Sequence, residues 1–128
     1  MTHIDAPRVY IVDDNAVIRR VLRGIIRQDE SLSFVGEAAS GESALEAIKN
    51  LAPHVVCLDV LMPGMGGLSV LEALRKDYPQ IRVVMVTGQS TSEVVQDALK
   101  LGAAGFVVKP FTAAKVLAAI HTAAARGS

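Results

Sequence analysis

Asp59 closes the apolar run Val55-Val56-Cys57-Leu58, and three other apolar runs of strand length also end in a reactive polar group. Val9-Tyr10-Ile11-Val12 leads into Asp13 and Asp14, Val83-Val84-Met85-Val86 into Thr87, and Phe106-Val107-Val108 into Lys109. In a parallel α/β sheet the carboxyl ends of the strands share one edge, and ligands bind in the crevice there. Adjacent strands lie only ~4.8 Å apart. Three carboxylates, one hydroxyl and one ammonium are therefore expected to converge on a single site, a set that suits a divalent cation plus a phosphoryl group.

Each of these residues also has an ordinary reading. Asp14 or Asn15 could cap the first helix, and Thr87 or Ser90 the fourth. Lys109 could be a solvated lysine leaving a strand, and Phe106 a core aromatic. Caps alone do not need three acids together. Two like charges ~4 Å apart repel by ~1 kcal/mol in water and by several kcal/mol near a protein surface. A hard cation such as Mg2+, which takes oxygen ligands at ~2.1 Å, removes that repulsion. Lys109 cannot ligate metal, but it can neutralise a carboxylate or grip a phosphoryl oxygen. An ionised aspartate is a competent nucleophile, and aspartyl-phosphate is a known type of covalent intermediate.

The elements that must position these groups are legible as valine-rich runs alternating with helical patterns, the signature of βαβ units. Residues 15–28 carry Val17, Ile18, Val21, Leu22, Ile25 and Ile26 on one stripe, with Arg19, Arg20, Arg23 and Arg27 on the other face. Residues 32–37 form a weaker, more polar strand suited to a sheet edge. Ser40 caps a helix that closes near Asn50, and residues 54–59 form the third strand. The Gly- and Pro-rich stretch 61–67 is irregular, a helix spans about 68–77, and the fourth strand spans 82–87. A polar loop, 88–92, precedes a helix ending at Leu101-Gly102, then a strand at 105–108. The last helix starts after Thr112 and ends at Arg126-Gly127. Five strands and five helices alternate strictly, and right-handed crossovers place helices on both faces.

Composition narrows the function classes. With 128 residues and 51% hydrophobic content the chain is expected to be one domain over 1–128, structured over about 7–126, with no output domain. Lys+Arg and Asp+Glu balance at 13 each, so no global field attracts nucleic acid or an anionic membrane. Cys57 is the single cysteine and reads as a small buried hydrophobe. His3, His54 and His121 are too scattered for a histidine metal site. Neither a secretory leader nor a membrane-length apolar window is visible, so the expected location is cytoplasmic.

Four segments, Tyr10-Ile11-Val12-Asp13-Asp14-Asn15, residues 58–67, Met85-Val86-Thr87-Gly88 and residues 102–111, closely resemble the receiver domain of two-component response regulators. The resemblance covers essentially the whole chain. It implies a flavodoxin-like, doubly wound five-stranded parallel sheet of order 2-1-3-4-5 with five helices. It implies that Asp59 accepts a phosphoryl group from a phosphohistidine on a sensor histidine kinase or phosphotransfer protein. Asp13, Asp14, Asp59 and the Leu61 main-chain carbonyl would hold Mg2+, and Thr87 and Lys109 would contact the phosphoryl oxygens. The Lys109-Pro110 bond would be cis. Thr87 and Phe106 would act as the switch pair, changing the surface of the fourth helix, fifth strand and fifth helix for a downstream effector protein.

Two positions depart from common family patterns. Phe106 lacks the hydroxyl of the more usual tyrosine. Leu61, two residues after the acceptor, cannot hydrogen-bond an attacking water, whereas Gln89, two after Thr87, can. Two competing functions are weaker fits. A small aspartyl-nucleophile phosphatase of the haloacid-dehalogenase kind wants a second acid where Leu61 stands, and the chain lacks room for a cap domain. A flavin binder wants a phosphate-cradling loop where the acids Asp13 and Asp14 stand.

Overall fold

A computed structural model describes residues 6–88 and 90–125. The elements run β1 (Arg8–Val12), α1 (Ala16–Gln28), β2 (Ser33–Ala38), α2 (Gly41–Leu51) and β3 (Val55–Leu58). They continue as α3 (Gly67–Asp77), β4 (Arg82–Thr87), α4 (Ser92–Lys100), β5 (Gly105–Val108) and α5 (Ala113–Ala125). All pairings are parallel and the strand order is β2-β1-β3-β4-β5, the flavodoxin-like order.

Because strand side chains alternate, each central strand feeds two cores. Tyr10, Val12, Val56, Leu58, Val83 and Met85 pack with Ile48, Leu71 and Ala98 of α2, α3 and α4. Val9, Ile11, Val55, Cys57, Val84 and Val86 pack with Leu22 and Ile26 of α1 and Val116 and Ile120 of α5. Burial on both faces is why these strands read as continuous apolar runs. Burial also pushes the Cys57 thiol up to about 12, so it stays protonated and unreactive.

Several boundaries and faces differ from the sequence reading. β2 starts one residue later, at Ser33, and runs to Ala38, its pairing with β1 shifting register between Val9 and Tyr10. β3 is shorter, leaving His54 and Asp59 as its flanks. Of the two candidate caps of α1, Asp14 and Asn15, it is Asn15 that serves: its side chain accepts from the Val17 and Ile18 amides. The cap of α4 is Thr91, neither Thr87 nor Ser90, which leaves Thr87 available to the sheet edge. Thr112 accepts from the Lys115 amide at the start of α5, while Arg126 and Gly127 lie outside the described residues. Val17 and Val21, counted in the inward stripe, are exposed, because the sheet covers only the Ile18-Leu22-Ile26 side of α1. On the other face, Arg19 and Arg23 both pair with Glu37 of β2.

At the opposite end of α1 a polar clamp joins two helices. Asp29 accepts from the Ser31 amide and hydroxyl and meets His121 Nε2 of α5 at 2.7 Å. Those bonds, Ser31's first, lower the Asp29 pKa to about 2, below the ordinary carboxylate value. A depressed folded-state pKa contributes stability that is present above the unfolded value and lost as pH falls toward the folded one. Thermal stability is therefore expected to decline between about pH 4 and 2. In Asp29→Asn that part of a melting-temperature profile should flatten, and an unchanged slope would remove the clamp's role.

Candidate functional site

The parallel sheet delivers the carboxyl ends of β1, β3, β4 and β5 to one edge, and with them Asp13 and Asp14, Asp59, Thr87 and Lys109. Among the described residues, Asp13, Asp14 and Asp59 form a group of carboxylates whose nearest oxygens all lie within 4.8 Å of one another. Asp13, Asp59 and Thr87 are buried and Asp14 is exposed. The five groups line a cavity of about 510 Å³, with Leu61, Met62 and Gly88 completing its walls.

Local hydrogen bonds fix the acids. The Asp13 amide donates to Ala38 O at 3.1 Å and the Asp59 amide to Val12 O at 3.0 Å, so each aspartate extends the sheet ladder one step past its strand. Lys109 Nζ donates to Asp13 Oδ2 at 2.9 Å and lies 3.4 Å from Asp59 Oδ2, bridging two acids that would otherwise repel. Burial raises the Asp13 pKa from its ordinary value, against the opposing pull of the Lys109 ammonium and the Asn15 amide. Gathering three carboxylates this closely carries an electrostatic cost, which a cation would relieve.

The loop after β3 is shaped by close backbone approach. Gly67 donates to Val60 O at 2.8 Å, and a Cβ built on it would sit 1.9 Å from the Asp59 carbonyl oxygen. Gly64, at φ 74°, occupies the left-handed region that favours glycine. Leu61 reaches toward solvent, and its amide lies 3.4 Å from Asp59 Oδ1.

Sequence reasoning placed the five polar groups together, and they are together. Phe106 is a β5 residue paired with Met85 and packed against the α2-α3-α4 core, one strand position from Val107 rather than on the cavity wall. The Lys109-Pro110 bond is cis. Of the histidines, His54 Nδ1 accepts from the Arg8 amide and His121 belongs to the Asp29 clamp, while His3 and Gln89 lie outside the described residues. Missed were Asn15 as the donor to Asp13 Oδ1 and Arg19 as the donor to the Asp13 carbonyl.

The chain matches the model of the response regulator receiver domain over residues 9–121. It is 36% identical over 116 residues to the chemotaxis protein CheY of Bacillus subtilis, spanning 91% of this chain and 96% of that protein. It is 43% identical over 111 residues to protein-glutamate methylesterase/protein-glutamine glutaminase 5 of Myxococcus xanthus, spanning 86% of this chain and 32% of that one. The chain thus spans about a third of the length of the methylesterase relatives it matches. A chain of the CheX-CheY-BeF3-Mg complex from Borrelia burgdorferi superposes with a TM-score of 0.85 at 33% identity, over 90% of this chain and 87% of that one. The chain belongs to the response regulator receiver family and is a receiver domain of two-component signalling. That placement does not favour the phosphatase alternative. No helix among the described residues is long and apolar enough to cross a membrane.

Proposed function

We propose that this receiver is a phosphoacceptor switch in which Asp59 takes a phosphoryl group from the phosphohistidine of a sensor kinase or phosphotransfer protein. The observation that carries this reading is the trio of carboxylates within 4.8 Å, two of them bridged by Lys109, in the floor of an open cavity. Hard oxygen donors packed this closely fit Mg2+, with Asp13, Asp14, Asp59 and the Leu61 carbonyl as the groups that would hold it. When bound, the ion supplies charge neutralisation for the transferring phosphoryl oxygens.

An Asp59 carboxylate oxygen forms the new phosphorus–oxygen bond as the phosphorus–nitrogen bond breaks, and the departing imidazole nitrogen keeps the electron pair. Lys109 releases its grip on Asp59 and turns to a phosphoryl oxygen. Thr87, on the neighbouring strand, offers its hydroxyl to another. Movement of Thr87 draws in Phe106, and the surface of α4, β5 and α5 changes for a downstream effector protein. Output is protein binding, with no direct contact to nucleic acid or membrane, in the cytoplasm.

The reading is tested by incubation with a small acyl phosphate, with and without Mg2+, followed by borohydride reduction and peptide mapping. One modified residue, Asp59, is expected, and only with Mg2+. Label on a serine, threonine or histidine would overturn the assignment. Leu61, at the cavity that holds the acceptor, has an exposed apolar side chain that offers no hydrogen bond to an attacking water. Leu61→Asn is therefore expected to shorten the lifetime of the phosphorylated form several-fold, and equal decay rates would dispose of that role.

A further inference from the structure

All four polar atoms of Asp13 are engaged. Its amide donates to Ala38 O at 3.1 Å, its Oδ1 accepts the Asn15 amide at 2.9 Å, and its Oδ2 takes Lys109 Nζ at 2.9 Å. The fourth, the main-chain carbonyl oxygen, accepts Arg19 Nη1 at 2.8 Å. The first three bonds come from the sheet ladder, the local turn and the cluster itself. The fourth arrives from outside the cavity wall, out of the first turn of α1.

Arg19 is itself braced. Its Nε donates to Glu37 Oε2 at 2.9 Å, and Glu37 Oε1 takes Arg23 Nη1 one helical turn further on. Its own amide donates to Asn15 O at 3.0 Å. A guanidinium is a planar fork, so holding Nε on Glu37 fixes where Nη1 points. The Asp13 carbonyl and the Asp14 amide belong to one rigid peptide plane. A donor that aims that carbonyl therefore sets the direction in which the chain presents Asp14, the exposed member of the cluster.

We propose that Arg19 is a positioning residue for divalent-cation capture by Asp13 and Asp14, acting through the Asp13 carbonyl and braced by Glu37. The inference rests on the phosphoacceptor reading and deepens it. Lysine at this place could reach one acceptor as a point charge, but it could not serve the carbonyl and Glu37 in one plane.

The experiment is Mg2+ binding by calorimetry on the full chain, for wild type, Arg19→Gln, Arg19→Lys and Glu37→Gln, alongside melting temperatures without metal. Loss of such outer-sphere support typically weakens metal affinity by roughly tenfold or more. Arg19→Gln is expected to raise the Mg2+ Kd by about that factor. Arg19→Lys should fall between it and wild type, and Glu37→Gln should show a smaller rise in the same direction. A purely structural role would lower the metal-free melting temperature and leave the Kd alone, which overturns the inference while sparing the cation site. Should Arg19→Gln fail to fold, an unaltered Kd in Glu37→Gln overturns it equally. If wild type binds no Mg2+, the phosphoacceptor reading and this inference fall together.

Discussion

Asp59→Asn is expected to abolish phosphate uptake from a small acyl phosphate while leaving the fold intact. The carboxamide keeps the volume and the main-chain bond to Val12 O but is not a nucleophile. It also removes one of the three charges that share the space within 4.8 Å. The metal-free variant is therefore expected to be as stable as wild type, or more so, because a buried repulsion disappears. Asn would leave Lys109 its 2.9 Å bond to Asp13 and so preserve the ion pair that ties β5 to β1. Loss of labelling with an unchanged or raised melting temperature is the expected pair of results. Persistent labelling would place the acceptor elsewhere.

Among the described glycines, Gly67→Ala is expected to be the most disruptive added methyl. The added Cβ would meet Asp59 O at 1.9 Å and Val60 Cα at 2.7 Å, backbone atoms with no rotamer to escape into. Either α3 shifts away from β3 or the Asp59 carbonyl moves. The cost is about 3 kcal/mol or more, a drop of roughly 10 °C or more in melting temperature. The same strain falls on the acceptor residue, so phosphorylation should slow as well. Gly24→Ala is the control: it lies in the middle of α1 with nothing within 4 Å of the new methyl. It should stabilise by about 0.5–1 kcal/mol through helix propensity. Equal melting temperatures for the two variants would contradict the close approach at Gly67.

The site was readable from sequence because each of its members directly follows or ends an apolar strand, and parallel topology sends those ends to one edge. Asp13, Asp14, Asp59, Thr87 and Lys109 needed only the alternation of strands and helices to be brought together. The support of Asp13 was not readable in that way. Arg19 and Glu37 belong to different elements, and neither periodicity nor local pattern shows that one guanidinium spans from β2 to the Asp13 carbonyl. The arginines of α1 could be placed only opposite the apolar stripe, because a helical stripe fixes angular position without saying how wide a sector the sheet covers. The same ambiguity turned Val17 and Val21 outward. The α4 cap went to Thr91 rather than Thr87 or Ser90 because four hydroxyl residues crowd that loop, and backbone geometry alone selects among them. The register shift between Val9 and Tyr10, which leaves Val35 as an extra residue within β2, is likewise encoded by no propensity.

Fluorine NMR of the wild-type chain with beryllofluoride and Mg2+ tests most directly whether these groups form one phosphoryl and cation site. Bound fluoride resonances are expected only when both are present, and they should vanish in Asp59→Asn. Bound signals that persist in that variant, or none at saturating Mg2+, would contradict it.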